Sequence, residues 1–376
     1  MLKKIISQCI EEWAPKDIAW VKDNPGLQAG SLADEAQNIF LCLELTEKAL
    51  REAIKKKSNF IFTHHPLIFQ PLKRLDTQND KISGLIELLF QHSITLYSAH
   101  TNLDFTKHGV SFQLAKTLGL KNIDFLEHQE NLRYKLVVFV PEESLSAVSE
   151  ALFTQGAGKT GEYEKCSFHF KGEGTFRGSM NTAPAIGKAG SFEKVSEMRL
   201  EVVVDKWNLN NAVSSMLKVH PYEEPAYDIY QLANKNQNYG AGAIGSLDSE
   251  MTDAGFLSHV QHSLKTENLK YSAGSRERKI QKVAVCGGSG SDMLNTAIAK
   301  GADAFVTADV RYHTFQDADE KILLIDAGHY ETEFPVLTEV KRRLDEEIKR
   351  QKSDNKVYIY SGTTNPVHFL INIGEE

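Results

Sequence analysis

Two adjacent histidines, His64 and His65, close the segment Asn59-Phe60-Ile61-Phe62-Thr63 and precede Pro66. The short apolar run rich in β-formers reads as a buried strand. Pro66 ends it and biases His65 toward an extended backbone. Side chains of consecutive extended residues point to opposite sides, a geometry that suits one imidazole for each of two metal ions. Groups of matching chemistry recur at other strand ends: His100 and Asp104 in Ser98-Ala99-His100-Thr101-Asn102-Leu103-Asp104, and His329 and Glu333 in Asp326-Ala327-Gly328-His329-Tyr330-Glu331-Thr332-Glu333.

His329 and Glu333 stand four apart, so on a helix they share one face, and Gly328 allows a sharp turn just before them. His64, His65, Asp104, His329 and Glu333 are therefore the candidate metal ligands. Imidazole and carboxylate without thiolate suit zinc, manganese, iron or nickel and do not choose among them. A carboxylate is a natural bridge. Two metals about 3.5–4 Å apart can lower the pKa of a water between them and polarise a substrate oxygen. His100 is the candidate for proton transfer or for orienting a ligand. Each feature also has an ordinary reading. In a chain with 13 His a paired His is no surprise, His329 with Glu333 fits a helix start with a dipole-complementing acid, and His100 fits turn packing.

Two further motifs carry weaker signals. Gly287-Gly288-Ser289-Gly290 follows an apparent strand and precedes a helix, which resembles an anion cradle or permits a tight turn. His220-Pro221-Tyr222-Glu223-Glu224-Pro225-Ala226-Tyr227-Asp228 reads as a binding loop or, preferred, as a rigid proline-bracketed turn at a subunit contact.

The elements that must position these groups alternate. Strands are expected at Asn38 to Leu43, Phe60 to Thr63, Ile94 to Ser98, Val283 to Cys286, Ala304 to Thr307, Ile322 to Ile325 and Val357 to Ser361. Helices are expected between them, including Thr46 to Lys55, Ile82 to Gln91 and Phe334 to Arg350. Such alternation implies an α/β domain, a mainly parallel sheet with helices on both faces. The middle differs. Leu136 to Val140, helix Ser144 to Gln155, a hairpin-like pair at Cys166 to Phe170 and Gly174 to Arg177, Met198 to Val204, helix Leu209 to Val219 and Ala226 to Leu232 outline a ferredoxin-like α+β unit. The expected division is a discontinuous α/β domain, 1–127 and 241–376, interrupted by an inserted domain, 128–240.

Composition narrows the function classes. Lys and Arg number 43 against 50 Asp and Glu, a net charge of −7, which supplies no phosphate-binding field, so direct nucleic-acid binding is not expected. Cys9, Cys42, Cys166 and Cys286 form no CxxC pair, against a thiolate zinc site or a disulfide framework and in keeping with a reducing cytoplasm. No stretch is apolar over the ~18 residues a membrane span needs, and the first residues lack a signal-peptide pattern.

Taken together, Thr63-His64-His65-Pro66, the stretch Ser98 to Asp104, Gly287-Gly288-Ser289-Gly290, and His329 with Glu333 resemble, nearly end to end, the Nif-three-like dinuclear-metal family of GTP cyclohydrolase 1 type 2 homologues. The middle resembles the inserted PII- and CutA-like domain of its longer members, marked by Cys166-Ser167-Phe168, Gly172-Glu173-Gly174-Thr175-Phe176 and His220 to Asp228. The resemblance implies a three-layer α/β fold and a homohexamer. It implies two divalent transition-metal ions per chain on His64, His65, Asp104, His329 and Glu333, with zinc foremost. It also implies a metal-dependent hydrolase acting on a nucleotide-like small molecule, with His100 or Asp309 moving protons. The alternative is a metal-binding regulatory or metal-handling protein whose inserted domain senses a small ligand without turnover. Two positions depart from the family pattern: Thr307-Ala308-Asp309 stands where Thr-Gly-Asp is frequent, and Gly240-Ala241-Gly242-Ala243-Ile244-Gly245 lacks an Arg.

Overall fold

A computed structural model describes the chain except for residues 162, 267, 273–277 and 370–376. The chain divides into two compact units, Met1–His128 with Gln237–Glu376, and Gln129–Asn236.

The first unit holds two sheets rather than one. In the first, Thr95–Ser98, Phe60–Thr63, Ile39–Cys42 and Val357–Ile359 run parallel, and Gly26–Ala29 closes the edge antiparallel to Thr95–Ser98. The three central strands are buried along their whole length, because helices cover both faces. Alternation assigns the faces. Phe60 and Phe62 join Ile39, Leu41 and Tyr97 beneath the helices Lys3–Trp13 and Val336–Arg350. Ile61, Phe40 and Leu96 pack on the opposite side against Glu47–Lys55 and Lys81–Gln91. Each large side chain so buried contributes about 1.5–3 kcal/mol.

In the second sheet Lys279–Val285, Ala304–Thr307 and Leu323–Asp326 run parallel. Its edges are antiparallel: Lys270–Tyr271 on one side, Gly240–Thr252 and then Lys121–His128 on the other. The expected single sheet thus becomes two, each with a parallel centre. The long strand Gly240–Thr252 lies in a glycine-rich stretch that carries little apolar periodicity. Gly240, Gly242 and Gly245 are needed there because a Cβ on each would meet Phe125, Leu126 or Leu120 and their neighbours on the adjoining strand. His128 pairs with Gly240, so the chain leaves and rejoins this unit at neighbouring points, as an insertion requires. No helix among the described residues is long and apolar enough to cross a membrane.

The unit Gln129–Asn236 has the connectivity β-α-β-β-α-β: Arg133–Pro141, Leu145–Thr154, Ser167–Arg177, Phe192–Asp205, Lys206–Val219 and Tyr227–Gln231. Its antiparallel sheet has Arg133–Pro141 between Phe192–Asp205 and Tyr227–Gln231, with Ser167–Arg177 outermost. This is the ferredoxin-like order. Leu136, Val138, Leu200 and Val202 meet Val148, Leu152, Ala212 and Met216 of the helices. The expected hairpin at residues 166–177 is instead one continuous strand. Gly172 and Gly174 do not turn the chain, and Gly174 leaves room for the Glu197 carboxylate of the neighbouring strand.

Candidate metal centre

The parallel strands of both sheets direct their C-terminal ends toward one cluster of histidines and carboxylates, the position that open α/β sheets use for ligands. The ladder continues just past the first sheet and fixes the loops: His65 N–H donates to Leu43 O (2.9 Å) and Ala99 N–H to Thr63 O (3.1 Å). Thr63 and Ser98 bond through their hydroxyls at 2.7 Å.

His64 is fully buried. Its Nδ1 lies 2.8 Å from Ala99 O, and since a carbonyl only accepts, that nitrogen carries a proton and Nε2 is the atom that faces the cluster. His65 Nδ1 lies 2.9 Å from Glu44 Oε1, and Thr364 donates its hydroxyl to the other oxygen of Glu44. His329 Nδ1 lies 2.7 Å from Asp309 Oδ2. Gly328, at φ +90°, turns the chain into the helix His329–Glu333, and Asp309 itself sits at φ +54°, a conformation its short side chain tolerates. Each imidazole is thus held from behind through Nδ1 with Nε2 forward, the arrangement that orients histidine toward a metal.

The three forward nitrogens converge on Glu333, which is buried. Its Oε1 lies 3.0 Å from His329 Nε2 and 3.6 Å from His64 Nε2, and its Oε2 lies 3.2 Å from His65 Nε2. Asp104 Oδ1 lies 3.5 Å from His64 Nε2, and the His65 and His329 Nε2 atoms are 3.4 Å apart. His64 Nε2, Asp104 Oδ1 and Glu333 Oε2 are buried with no hydrogen-bond partner. Such unsatisfied atoms cost about 1–3 kcal/mol each, more when charged, so their coincidence at one point fits a bound cation. Ligand atoms of His65, His329 and Glu333 lie within 4.8 Å of one another, as do those of His64, His65 and His100. The cluster can therefore hold a metal ion.

The electrostatics make the same demand. Burial penalises a charged imidazole at His65, but Glu333 and Glu44 outweigh it and lift the group to about 10. At His329 burial is likewise outweighed by Glu333 and Asp309, which lift it to about 9. Burial, eased by the charge of His64 and reinforced by Glu333, pushes Asp104 up to about 7. Burial also acts to raise Glu333, yet the three imidazoles hold it well below the carboxylate range. Positive charge in the cluster is supplied by protons or by a cation.

His100 stands beside the ligands, its ring centre 5.3 Å from those of His64 and His65. Its Nδ1 lies 2.8 Å from Asp23 Oδ1, while Thr101 donates its N–H (3.0 Å) and hydroxyl (2.5 Å) to Asp23 Oδ2. Burial would raise Asp23, but these bonds hold it far below the usual carboxylate range. Asp309 contacts His329 and so acts through it.

The glycine-rich stretch corrects the sequence expectation. The N–H groups of Gly287, Gly288 and Gly290 are engaged by the hydroxyls of Ser111 (3.3 Å), Thr332 (3.0 Å) and Thr307 (3.1 Å). Three of the four amides of Gly287, Gly288, Ser289 and Gly290 are therefore not free to form an anion cradle. What the stretch provides is space. Gly288 has φ +63°, and a Cβ on it would collide with Glu333 Oε1.

Sequence reasoning missed Glu44 and Asp23, which fix His65 and His100 from behind. Glu44 was within reach of the same signal that exposed the ligands, since it lies two residues past the strand Ile39–Cys42. Asp23 sits in an Asp-Asn-Pro-Gly turn that carries no such cue.

The family described as Duf34/NIF3 (NGG1p interacting factor 3) matches residues 1–366. The chain is 41% identical over 368 residues to a Halalkalibacterium halodurans protein named GTP cyclohydrolase 1 type 2 homolog, covering 97% of this chain and 98% of that one. It is 37% identical over 369 residues to the Bacillus subtilis protein of the same name, with the same coverage. A solved Bacillus cereus protein related to NIF3 superposes with a TM-score of 0.82 at 35% identity, covering 98% of this chain and 99% of the other.

Proposed function

The chain belongs to the Duf34/NIF3 family, and from that premise we propose that its histidine–carboxylate cluster holds two divalent transition-metal ions, zinc foremost, and serves a hydrolytic reaction on a nucleotide-like small molecule. The observation that carries the reading is the trio of buried, unpartnered atoms, His64 Nε2, Asp104 Oδ1 and Glu333 Oε2, facing the Nε2 atoms of His65 and His329. His64 and Asp104 would hold one ion, His65 and His329 the other, and Glu333 both. Such a pair supplies an acidified water and a Lewis-acid pull on a substrate oxygen. The protein's part is then to hold the three imidazoles aimed, through Ala99 O, Glu44 and Asp309. His100, braced by Asp23, moves a proton at its Nε2. The nucleotide class rests on the name of the relatives, GTP cyclohydrolase 1 type 2 homolog. Homohexameric assembly and a cytoplasmic location belong to the same proposal.

A second reading has its own support. The inserted unit has ferredoxin-like connectivity, to which PII- and CutA-like kinship is a natural extension, and it carries a cavity of its own. A metal-binding regulatory protein without turnover fits those features.

Elemental analysis of untagged protein purified without chelators tests the proposal. About two transition-metal ions per chain are expected, falling to one or fewer in Asp104→Ala while circular dichroism and oligomeric size stay unchanged. A wild-type chain that takes up no metal on reconstitution would sink it. Full metal content without turnover across nucleotides would select the second reading.

A further inference from the structure

Two sequence motifs are not used by the metal centre: the stretch Gly172 to Phe176 and the loop His220 to Asp228. Within the unit Gln129–Asn236 they line one cavity of about 440 Å³, a size common among small-molecule sites. Its body is apolar, with Phe139, Phe176 and Ile186 among its walls.

The loop is fixed before any ligand arrives. His220 is buried; its Nδ1 accepts the Tyr222 N–H (3.1 Å), so Nε2 carries the proton and donates to Phe139 O (3.0 Å). A preorganised wall of this kind lowers the ordering cost of binding. Two polar groups at the cavity are already engaged: Arg177 Nε donates to Gly190 O (2.9 Å), and Glu223 accepts the Ala183 N–H (3.0 Å). Glu197 is placed differently. Its carboxylate lies across Gly174, where a Cβ would collide with it. Beside it lies the buried Tyr222 hydroxyl, and burial together with a hydrogen bond to Glu197 pushes its phenol up.

We infer that this cavity binds a small molecule with a cationic or N–H-donating head on a flat apolar body, the head meeting Glu197 and the Tyr222 hydroxyl and the body lying against Phe139 and Phe176. An amidine, a guanidinium or the N–H edge of a nitrogen heterocycle has that chemistry, since a carboxylate accepts two parallel N–H bonds. Anionic ligands are disfavoured. Glu197, Glu223 and Glu224 line the cavity, and Arg177 is the cation among its lining residues. The inference does not depend on the metal reading, because no lining residue is a metal ligand.

Titration calorimetry of the full chain with benzamidine and benzoate tests it, since the two differ little in shape and are opposite in charge. Benzamidine is expected to bind saturably and benzoate not. Glu197→Gln should weaken benzamidine about tenfold or more, Tyr222→Phe by less, and both variants should melt with the wild type. Binding should survive in the metal-depleted protein. The inference is overturned by benzoate binding as well as benzamidine, by no benzamidine binding to the wild type, or by unchanged binding in a folded Glu197→Gln.

Discussion

Glu333 and Glu197 are both carboxylates set among ring side chains, and the protein treats them in opposite ways. Glu333 meets three imidazoles, each braced from behind by a carbonyl or a second carboxylate. Glu197 meets one phenol and a cavity. A cation has no shape of its own, so the lone pairs around it must be aimed by the protein, and that takes loops from both sheets. An organic ligand brings its own outline. A cavity for it needs apolar walls and a few fixed polar points, which one antiparallel sheet and one loop can supply.

The largest effect that sharpens this contrast is expected from Glu333→Ala. Losing a group that merely orients a metal ligand costs about 10–100-fold in affinity. Glu333 faces all three forward nitrogens, so its loss should cost roughly a thousandfold or more, read by competition with a chromophoric chelator. It should leave benzamidine binding in the inserted unit intact. Retention of wild-type metal affinity would mean that Glu333 is not the shared ligand.

A pH series comes next in size. Metal entry must displace the protons on His65 and His329, whose groups are lifted to about 10 and about 9. Asp104, raised to about 7, also binds a proton when the solution is more acid. A raised folded-state value means that protons bind better to the metal-free cluster, so metal affinity must fall as pH falls. Between about 7 and about 9 two imidazole protons leave per metal-loaded chain, so apparent affinity should change by up to about a hundredfold per pH unit. Above pH about 10 it should level off. An affinity flat from pH 7 to 9 would show that the imidazoles are neutral without metal.

The metal centre was far more legible in the sequence than the cavity, for a physical reason. His64, His65, Asp104, His329 and Glu333 are chemically rare side chains at the ends of apolar runs, and strands as short and buried as Phe60–Thr63 and Ala304–Thr307 mark where those ends fall. The structure brings all five together. Hidden from the sequence were features that exist only in three dimensions. The parallel strands split into two sheets, because strand order leaves no trace in a run of apolar residues. Gly287 to Gly290 serve packing, because the hydroxyls that occupy their amides come from Ser111, Thr307 and Thr332. The strand Ser167–Arg177 looked interrupted, because Gly172 and Gly174 mimic a turn while Gly174 makes room for Glu197.

The smallest effect, and the one aimed most directly at the contrast, is that of Glu44→Gln. Glu44 touches no forward nitrogen. It holds His65 Nδ1 at 2.9 Å and is itself held by Thr364. A glutamine keeps the length and can still accept from Nδ1 through its amide oxygen, but it removes a negative charge that favours a proton, or a metal, on the imidazole. Metal affinity should therefore fall by about tenfold, well short of the loss in Glu333→Ala, with the melting temperature of the metal-free protein nearly unchanged because Glu44 is partly exposed. If bracing from behind is what separates this site from the cavity, the loss should appear in full above pH about 10 and shrink below it, where the variant's His65 also holds its competing proton less tightly. A variant that binds metal as tightly as the wild type would place the aiming of His65 in the backbone bond to Leu43 instead, and the two regions would then differ in ligand chemistry alone.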